Sequence, residues 1–293
     1  MLGAESGGIA MKRALILLAA GTLLSGLCAY AAGGQTPQAA KVKLWRLDCG
    51  SAFAGNLNNF SDTRAFPTLK LPFTASCYLI KHGDSYMLWD TGLPLSFRAQ
   101  KIDETKDFTA TLTTTIVEQL AKIGVKPADI SLIGISHYHF DHTGQAGDFP
   151  QAKLLIGKGD YDSLAASPPA NGADPTPLKN WFGGPGKSEP VSGDKDVFGD
   201  GSVTMIDLPG HTPGHHALLV QLARGPVILS GDQFHFRENF AVNGVPGFNY
   251  DRAQTLASSD RLRGLIANTK ATFIIQHDPR DIAKLPAFPA AAE

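Results

Sequence analysis

Short apolar segments recur along the chain and predict a protein rich in β-strands. Residues 42–47 alternate between apolar and polar side chains, which is typical of a strand with one buried face. Residues 77–80 and 86–89 predict two strands that meet at a turn over 82–84. Further apolar runs predict strands at 130–136, 153–156, 203–208, 217–221, 227–230 and 273–276.

Two longer segments have apolar residues at helical spacing. In residues 113–123, Ile116 and Leu120 lie one turn apart, and Gly124 follows where the C-terminus of a helix favours glycine. Residues 252–267 form the second predicted helix. Because no sharp linker interrupts the pattern, we expect a single domain in which packed sheets are covered by helices. The fold class is therefore predicted to be α+β.

One long segment breaks the pattern of strands and helices. Residues 167–200 are rich in Pro, Gly, Asp and Lys, which predicts a mostly irregular insertion of the kind that often shapes a pocket. Aromatic residues occur here and near residue 240. We expect some of their rings to line an apolar pocket and at least half of them to belong to the core. They are Trp181, Phe182, Phe234, Phe236, Phe240 and Phe248.

The N-terminus has the features of a secretory signal peptide over residues 1–31. Lys12 and Arg13 precede an apolar run of about 14 residues, and Ala29-Tyr30-Ala31 supplies a cleavage site. The run is shorter than the roughly 20 apolar residues that span a bilayer. We expect cleavage near Ala31, a disordered leader over 32–40 and a domain over 41–293.

This signal predicts a periplasmic or secreted protein without a stable membrane anchor. Whether Cys28 carries a lipid stays open, because the residue before it is Leu27, whereas a lipidation signal requires a small residue there. Cys49 and Cys77 remain in the mature chain. An oxidising compartment permits a disulfide between them, but two buried thiols fit the sequence equally well.

Composition narrows the possible partners. The 293 residues contain 26 Lys and Arg against 27 Asp and Glu, for a formal net charge of -1. A nearly neutral chain without a long basic run is not expected to bind nucleic acid through phosphate contacts. The oligomeric state cannot be inferred from the sequence.

The sharpest chemical feature is a cluster of three histidines and one aspartate directly after the strand predicted at 130–136. Its members are His137, His139, Asp141 and His142. Alternate residues of an extended segment point to the same side, so His137 and His139 can hold one ion. Asp141 and His142 follow where the chain turns and can face a second ion.

Three later segments offer further metal ligands, and each follows a predicted strand. The sequence Gly-His-Thr-Pro-Gly-His contains His211 and His215, a Gly-Asp pair contains Asp232, and His277 follows the last strand. Leaving out His215, these residues and the cluster above make a set of five histidines and two aspartates. We expect His215 and His216 to make structural contacts behind His211.

The order of these motifs resembles the metallo-β-lactamase superfamily. The pattern H-x-H-x-D-H is followed by G-H-T-P-G-H, then G-D and a late histidine, and the resemblance covers about residues 42–280. It implies a four-layer αββα sandwich with two metals at one edge. Asp90, in an Asp-Thr-Gly turn, matches a residue that usually supports the site from behind.

The resemblance implies a three-histidine site, a second site with two histidines and one aspartate, and a bridging aspartate. The three-histidine site would consist of His137, His139 and His211. The second site would consist of Asp141, His142 and His277, and Asp232 would be the bridging aspartate. Imidazole and carboxylate ligands suit zinc, although Mn, Fe or Co can occupy the same set.

The implied activity is that of a di-metal hydrolase that cleaves a lactone or ester with a metal-bound hydroxide. Metal binding lowers the pKa of a water from near 16 to about 7. The catalytic candidates are Asp141, Asp232 and His235, of which the two aspartates would orient the nucleophile or handle a proton. The bridging Asp232 and the late His277 resemble the N-acyl homoserine lactonases, which implies a small lactone substrate.

His235 departs from that group, which usually has a tyrosine three residues after the bridging aspartate. A histidine at this position resembles methyl-parathion-hydrolase-like enzymes. The alternative substrates are therefore organophosphates or aryl esters, and a β-lactam is a less favoured third. His235 can donate a hydrogen bond to a carbonyl or leaving group, or it can simply form part of the pocket wall.

Overall fold

The structure is a computed structural model that describes residues 41–293. The predicted signal peptide over 1–31, the predicted leader over 32–40 and Cys28 lie outside the described residues. Within residues 41–293, no helix has both the length and the apolar character needed to cross a membrane.

The described residues form two β-sheets. The strands of the first sheet are β1 (Val42–Ala54), β2 (Leu71–His82), β3 (Ser85–Trp89), β4 (Phe108–Thr111), β5 (Ile130–Ile135), β6 (Lys153–Gly157) and β7 (Ser188–Val191). The strands of the second sheet are β8 (Lys195–Asp196), β9 (Val203–Asp207), β10 (His216–Leu222), β11 (Gly225–Leu229) and β12 (Thr272–Ile274). Their spatial orders are β4-β1-β2-β3-β5-β6-β7 and β12-β11-β10-β9-β8.

Helices connect the strands and cover the sheets. The α-helices are α1 (Ile116–Lys122), α2 (Phe140–Thr143), α3 (Lys158–Ala165), α4 (Arg237–Val242), α5 (Arg252–Thr269) and α6 (Pro279–Ile282). Short 3-10 helices lie at Leu57–Phe60, Leu95–Phe97, Pro127–Asp129, Ala146–Asp148, Thr176–Leu178 and Gly231–Gln233.

Three apolar cores separate four layers of structure. Trp89 of the first sheet and Leu218 of the second belong to one core between the sheets. Leu120 of α1 packs on the outer face of the first sheet, and Leu262 of α5 packs on the outer face of the second. Burying each such side chain contributes roughly 1.5–3 kcal/mol. The predicted αββα sandwich is confirmed.

The long segment over 167–200 is less irregular than its composition predicts. It contains β7, which pairs in parallel with β6, and the short β8 at the edge of the second sheet. Pro190 lies in β7. A proline is tolerated there because an edge strand has one side without ladder hydrogen bonds, and its presence is why the sequence pattern did not indicate a strand.

A disulfide joins the two strands that precede the site. Cys49 of β1 and Cys77 of β2 are bonded, with their Cα atoms 5.8 Å apart. Gly92 packs directly against it at a φ of +64°, where a Cβ atom would lie 2.3 Å from Cys49 Cβ. The structure thus decides between the disulfide and the two free thiols, and it places the bond beneath the Asp-Thr-Gly turn.

Strand direction determines where the connecting loops meet. Strands β3, β5 and β6 are mutually parallel in the first sheet. Strand β10 is antiparallel to both β9 and β11, and β12 is parallel to β11, so β9, β11 and β12 share one direction. The chain leaves each of these strands at its carboxyl end, and the loops after β5, β9, β11 and β12 carry the candidate ligands.

Candidate metal centre

The seven sequence-predicted ligands lie together at one edge of the sandwich. His137 and His139 follow β5, while Asp141 and His142 lie on the short helix α2. His211 follows β9, Asp232 lies in the turn after β11, and His277 follows β12. They form two adjacent groups, one with His137, His139, His211 and Asp232 and the other with Asp141, His142 and His277.

The first group brings three imidazole nitrogens close together. His137 Nε2 lies 2.9 Å from His139 Nδ1 and 3.2 Å from His211 Nε2, and the latter lies 3.1 Å from His139 Nδ1. Tetrahedral ligands at about 2.0–2.1 Å from zinc lie roughly 3.3 Å apart. The observed spacing agrees within a few tenths of an ångström, so the three histidines fit one ion.

The ligand atoms of the second group lie farther apart than those of the first, and they also surround one position for an ion. Asp141 Oδ2 lies 3.8 Å from His142 Nε2 and 3.7 Å from His277 Nε2. The rings of His142 and His277 are perpendicular, with centroids 5.3 Å apart. Two imidazoles and one carboxylate are a donor set that suits zinc and also other divalent transition metals.

Asp232 lies between the two groups and turns one oxygen toward each. Its Oδ2 lies 3.6 Å from His137 Nε2 and 3.4 Å from His211 Nε2. Its Oδ1 lies 3.2 Å from His142 Nε2 and 2.8 Å from His277 Nε2. This geometry is the one expected of a carboxylate that bridges two ions.

Two buried atoms at the centre support this interpretation. Among residues 41–293, neither Asp232 Oδ1 nor His142 Nε2 has a hydrogen-bond partner of acceptable geometry. Leaving such an atom unpaired costs about 1–3 kcal/mol. A cation bound at the second group would satisfy both atoms. Together with the spacing of the three histidines in the first group, the donor set fits two metal ions.

Hydrogen bonds on the far side of the rings orient them toward the ions. His211 Nδ1 lies 2.8 Å from Asn249 Oδ1, and His277 Nδ1 lies 2.6 Å from the carbonyl oxygen of Thr74. Each acceptor favours a proton on Nδ1, which leaves Nε2 free to bind a metal. Such contacts fix the tautomer and orientation of ligating histidines.

Burial and charge keep these groups in the protonation states that ligands require. Burial lowers the pKa of His137 and of His139, and neighbouring imidazoles lower both further. Burial raises the pKa of Asp232, but His277 and His142 outweigh that effect and hold it well below its usual value. The first two rings are therefore neutral, and the aspartate is ionised.

Asp90 supports the second group from behind, as its motif suggested. Its Oδ2 lies 2.9 Å from His142 Nδ1, and its Oδ1 accepts the backbone N–H of Ser136 at 2.7 Å. Asp90 has a φ of +60°, in the left-handed region that is uncommon outside glycine. The chain adopts this conformation where it brings the carboxylate against the ring.

Two further residues support the centre: Gln276 was not considered from the sequence, whereas His215 makes a structural contact, as expected, with Asp232 as its partner. Gln276 Nε2 donates to Asp90 Oδ2 at 2.9 Å, while its Oε1 accepts the N–H of Gly231 at 2.8 Å. His215 accepts the N–H of Asp232 on Nε2 at 2.9 Å. Both residues are next to predicted ligand motifs, but their partners come from distant segments, so no local pattern indicates the contacts.

His235 lies beside the bridging aspartate. Its Nε2 is 3.1 Å from Asp232 Oδ2, and its ring stacks on that of His277 with centroids 5.8 Å apart. Burial lowers the pKa of His235 to about 4, against the opposing effect of Asp232. The ring is neutral near pH 7 and lines the cavity in front of the metal centre.

A cavity of about 620 Å³ opens onto the metal centre. Of the six aromatic residues considered from the sequence, Phe248 alone lines it, whereas the other five lie in or against apolar cores. Its other aromatic lining residues come from four separate segments without a shared sequence pattern. The phenylalanines in the lining are Phe60, Phe73, Phe108, Phe140 and Phe248.

Comparison with known proteins agrees with this geometry. A family profile described as the metallo-beta-lactamase superfamily matches residues 71–277. The N-acyl homoserine lactonase AttM of Azorhizobium caulinodans is 33% identical over 179 residues, which are 56% of this chain and 64% of that relative. An N-acyl homoserine lactonase of a Bacillus species is 30% identical over 210 residues, which are 69% of this chain and 80% of that relative.

A solved structure shares the same overall arrangement. It is described as the quorum-quenching N-acyl homoserine lactone hydrolase, and it superposes with a TM-score of 0.73 at 25% sequence identity. The superposition covers 86% of this chain and 98% of that structure. The sequence alignment with AttM spans 64% of that relative, which is under two thirds of its length. The superposition on the solved hydrolase structure spans nearly the whole of that structure.

Proposed function

Because the chain belongs to the metallo-beta-lactamase superfamily, we propose that it is a di-metal hydrolase that opens a lactone or ester bond. The observation that carries the proposal is the position of Asp232, with one oxygen toward three histidines and the other toward His142 and His277. Two divalent ions, when bound, lower the pKa of a shared water and polarise a substrate carbonyl.

The residues of the chain have distinct proposed roles. His137, His139 and His211 hold one ion, while Asp141, His142 and His277 hold the other, and Asp232 bridges them. The nitrogen-rich donor set favours zinc. The protein would then work with two zinc ions.

Asp141 and His235 are the proposed catalytic groups beside the bridging Asp232. Asp141 lines the cavity, and its side chain is 17% exposed, so its carboxylate can orient the nucleophile while it binds the second ion. His235 is neutral near pH 7, and its one N–H, which faces Asp232 here, would be donated to the substrate carbonyl or leaving group once Asp232 binds the two ions. Neither residue needs to form a covalent bond with the substrate.

The cavity supports a substrate with an apolar part. Phenylalanines from five positions surround the entrance to the metal centre, which suits an acyl chain or an aryl group. The named relatives are N-acyl homoserine lactonases, so we propose a lactone with an acyl chain first. His235 favours the alternative of an aryl ester or phosphotriester, because an imidazole occupies the position where lactonases usually have a phenol.

We also propose that the protein acts outside the cytoplasm. The features of a signal peptide over residues 1–31 suggest export, with a domain over 41–293 after the leader. The Cys49–Cys77 disulfide supports this location because such bonds persist in oxidising compartments.

The test compares kcat/KM of the zinc-loaded protein on four substrates. These are a long-chain acyl homoserine lactone, an aryl ester, a paraoxon-type phosphotriester and a cephalosporin. We expect the lactone to give the highest value and Asp232→Ala to lower it by about 10³-fold. A large preference for the cephalosporin would overturn the lactone proposal, and activity that survives complete removal of metal would overturn the di-metal mechanism.

A further inference from the structure

Asp160 is not a predicted ligand, yet it contacts both loops that supply the three-histidine site. It lies in the first turn of α3 and is fully buried. Its Oδ2 accepts the N–H of Tyr138 at 3.1 Å and the hydroxyl of Thr212 at 2.8 Å. Its Oδ1 accepts the N–H of Gly214 at 2.7 Å.

The partners of this carboxylate are neighbours of the ligands in the chain. Tyr138 lies between His137 and His139, and Thr212 follows His211. One loop comes from the first sheet and the other from the second. A single side chain therefore connects the two sheets at the point where three imidazoles must converge.

The backbone around Asp160 is shaped for this contact. A Cβ atom on Gly157 would lie 1.9 Å from the carbonyl oxygen of Gly214, and one on Gly159 would lie 2.5 Å from that of Pro213. A Cβ atom on Gly214 would lie 2.4 Å from the backbone nitrogen of Asp160. Only glycine permits so close an approach, and these three glycines seat one ligand loop directly on α3.

We propose that Asp160 is a positioning residue for the three-histidine metal site. Its carboxylate sets the spacing between the loop with His137 and His139 and the loop with His211. This inference rests on the proposed two-ion centre, since it assigns the support of one ion within it.

The chemistry of the site distinguishes a carboxylate from its closest substitute. All three partners of Asp160 can donate a hydrogen bond, and a carboxylate accepts on both oxygens. An amide in its place has only one acceptor atom, so its NH2 group faces a donor. Burial raises the pKa of Asp160 to about 7 despite these hydrogen bonds, so the chain maintains a costly group at this position.

The test measures metal affinity rather than turnover. We would titrate zinc with a competing chelator in the full chain, in Asp160→Asn and in the matched control Asp162→Asn. Asp162 lies on the same helix but is exposed and pairs with Lys158. We expect a 10–100-fold weaker three-histidine site in Asp160→Asn, within the range found when the contacts behind a ligand are removed. We expect less than a twofold change in the second site and in Asp162→Asn.

Two ligand variants assign each affinity to its site. In a His211→Ala background the remaining ion occupies the second site, and adding Asp160→Asn is expected to change nothing. In a His277→Ala background the full 10–100-fold loss is expected. A residue with a merely structural role would weaken both sites equally, and that result would overturn the proposal.

A milder substitution covers the case in which Asp160→Asn does not fold. Thr212→Val removes one of the three hydrogen bonds and is expected to weaken the three-histidine site alone, by about 3–10-fold. Unchanged affinity in both Asp160→Asn and Thr212→Val would overturn the positioning role alone. A wild-type chain that binds no zinc would overturn the proposed function as well.

Discussion

The two halves of the metal centre are supported in different ways. At the second site, Asp90 contacts the imidazole of His142 directly, and Gln276 connects Asp90 to the turn that carries Asp232. At the three-histidine site, Asn249 contacts the ring of His211, but the buried carboxylate of Asp160 bonds to backbone and hydroxyl groups of the two ligand loops.

Each half combines two ligands that are close in the chain with one distant ligand, so the two aspartates act on different parts of similar arrangements. His137 and His139 lie two residues apart, so their mutual geometry is largely local, and the distant ligand is His211. What the local sequence does not set is the distance between the loop with His137 and His139 and the loop with His211. A contact to the backbones of both loops controls that distance. At the second site Asp141 and His142 are adjacent in the chain and the distant ligand is His277. Here the contact from Asp90 is to the ring of His142 itself, which sets its orientation and basicity.

Asp232→Ala is expected to have the largest effect because it removes the residue that both halves share. We expect both zinc affinities to fall and kcat/KM to decrease by about 10³-fold, or roughly 4 kcal/mol of transition-state stabilisation. Chelator titration and steady-state kinetics measure these quantities. Asp84→Ala, in the exposed turn between β2 and β3, serves as the control. Weakening of one site alone would contradict the bridging role.

Removing the disulfide tests how much it contributes to stability and to the second metal site, whose supporting Asp90 turn packs against it. We expect a double variant, Cys49→Ala with Cys77→Ala, to lose about 3–4 kcal/mol of unfolding free energy, since the bond joins cysteines 28 residues apart. Urea unfolding with and without reductant measures this, and only the wild type should respond to reductant. Because the turn with Asp90 packs on the disulfide through Gly92, the second site is expected to weaken more than the first. An equal loss of zinc affinity at both sites would contradict the expectation that the disulfide supports the second site in particular.

Asp90→Asn tests the direct support. The amide keeps the shape but loses the charge beside His142, so we expect the second site to bind zinc about 10–100-fold more weakly and the first to change less than twofold. For Asp160→Asn the opposite is expected, with the three-histidine site weakened and the second site nearly unchanged. The same chelator titration resolves it. If the three-histidine site weakened instead, the division into two separately supported halves would be wrong.

Glu118→Gln should have the smallest effect and leave both metals unchanged. Glu118 accepts the N–H of Thr115 at 2.8 Å and pairs with Arg98, and these contacts lower its pKa to about 2. Because the folded-state pKa lies below the unfolded value near 4.5, the contribution to stability is present above pH 4.5 and is lost as the pH falls through about 2. Urea unfolding should therefore show a gap between the variant and the wild type that closes in acid. A gap that persists at pH 2 would contradict this.

The sequence predicted the fold well where the pattern was local and apolar. Strands β5, β6 and β9 to β12 and helix α5 lie close to their predicted ranges. It did not indicate β7, because a proline and polar neighbours obscure an edge strand whose register comes from pairing with β6. It also left the disulfide open, because the approach of β1 and β2 depends on their pairing.

For the candidate site too, local features could be predicted from the sequence, whereas contacts between distant segments could not. The ligand types and their order were readable, and the structure places all seven together. At least half of the six aromatic residues were expected in the core, and all but Phe248 lie in or against one. The cavity wall also includes Phe60 and Phe73, which no sequence pattern indicated. Rings from unrelated segments meet there only after the two sheets have packed.

The sequence by itself determined which metal-ligating residue types this protein offers and their order, and the tertiary structure decided their geometry. Spacing within one short segment sets the donors of His137 to His142, because neighbouring residues keep nearly fixed distances in any fold. Only the packing of the two sheets brings the loops after β5, β9, β11 and β12 to one edge and places Asp160 between two of them. Those distances depend on contacts between residues far apart in the chain, and a linear pattern does not contain them.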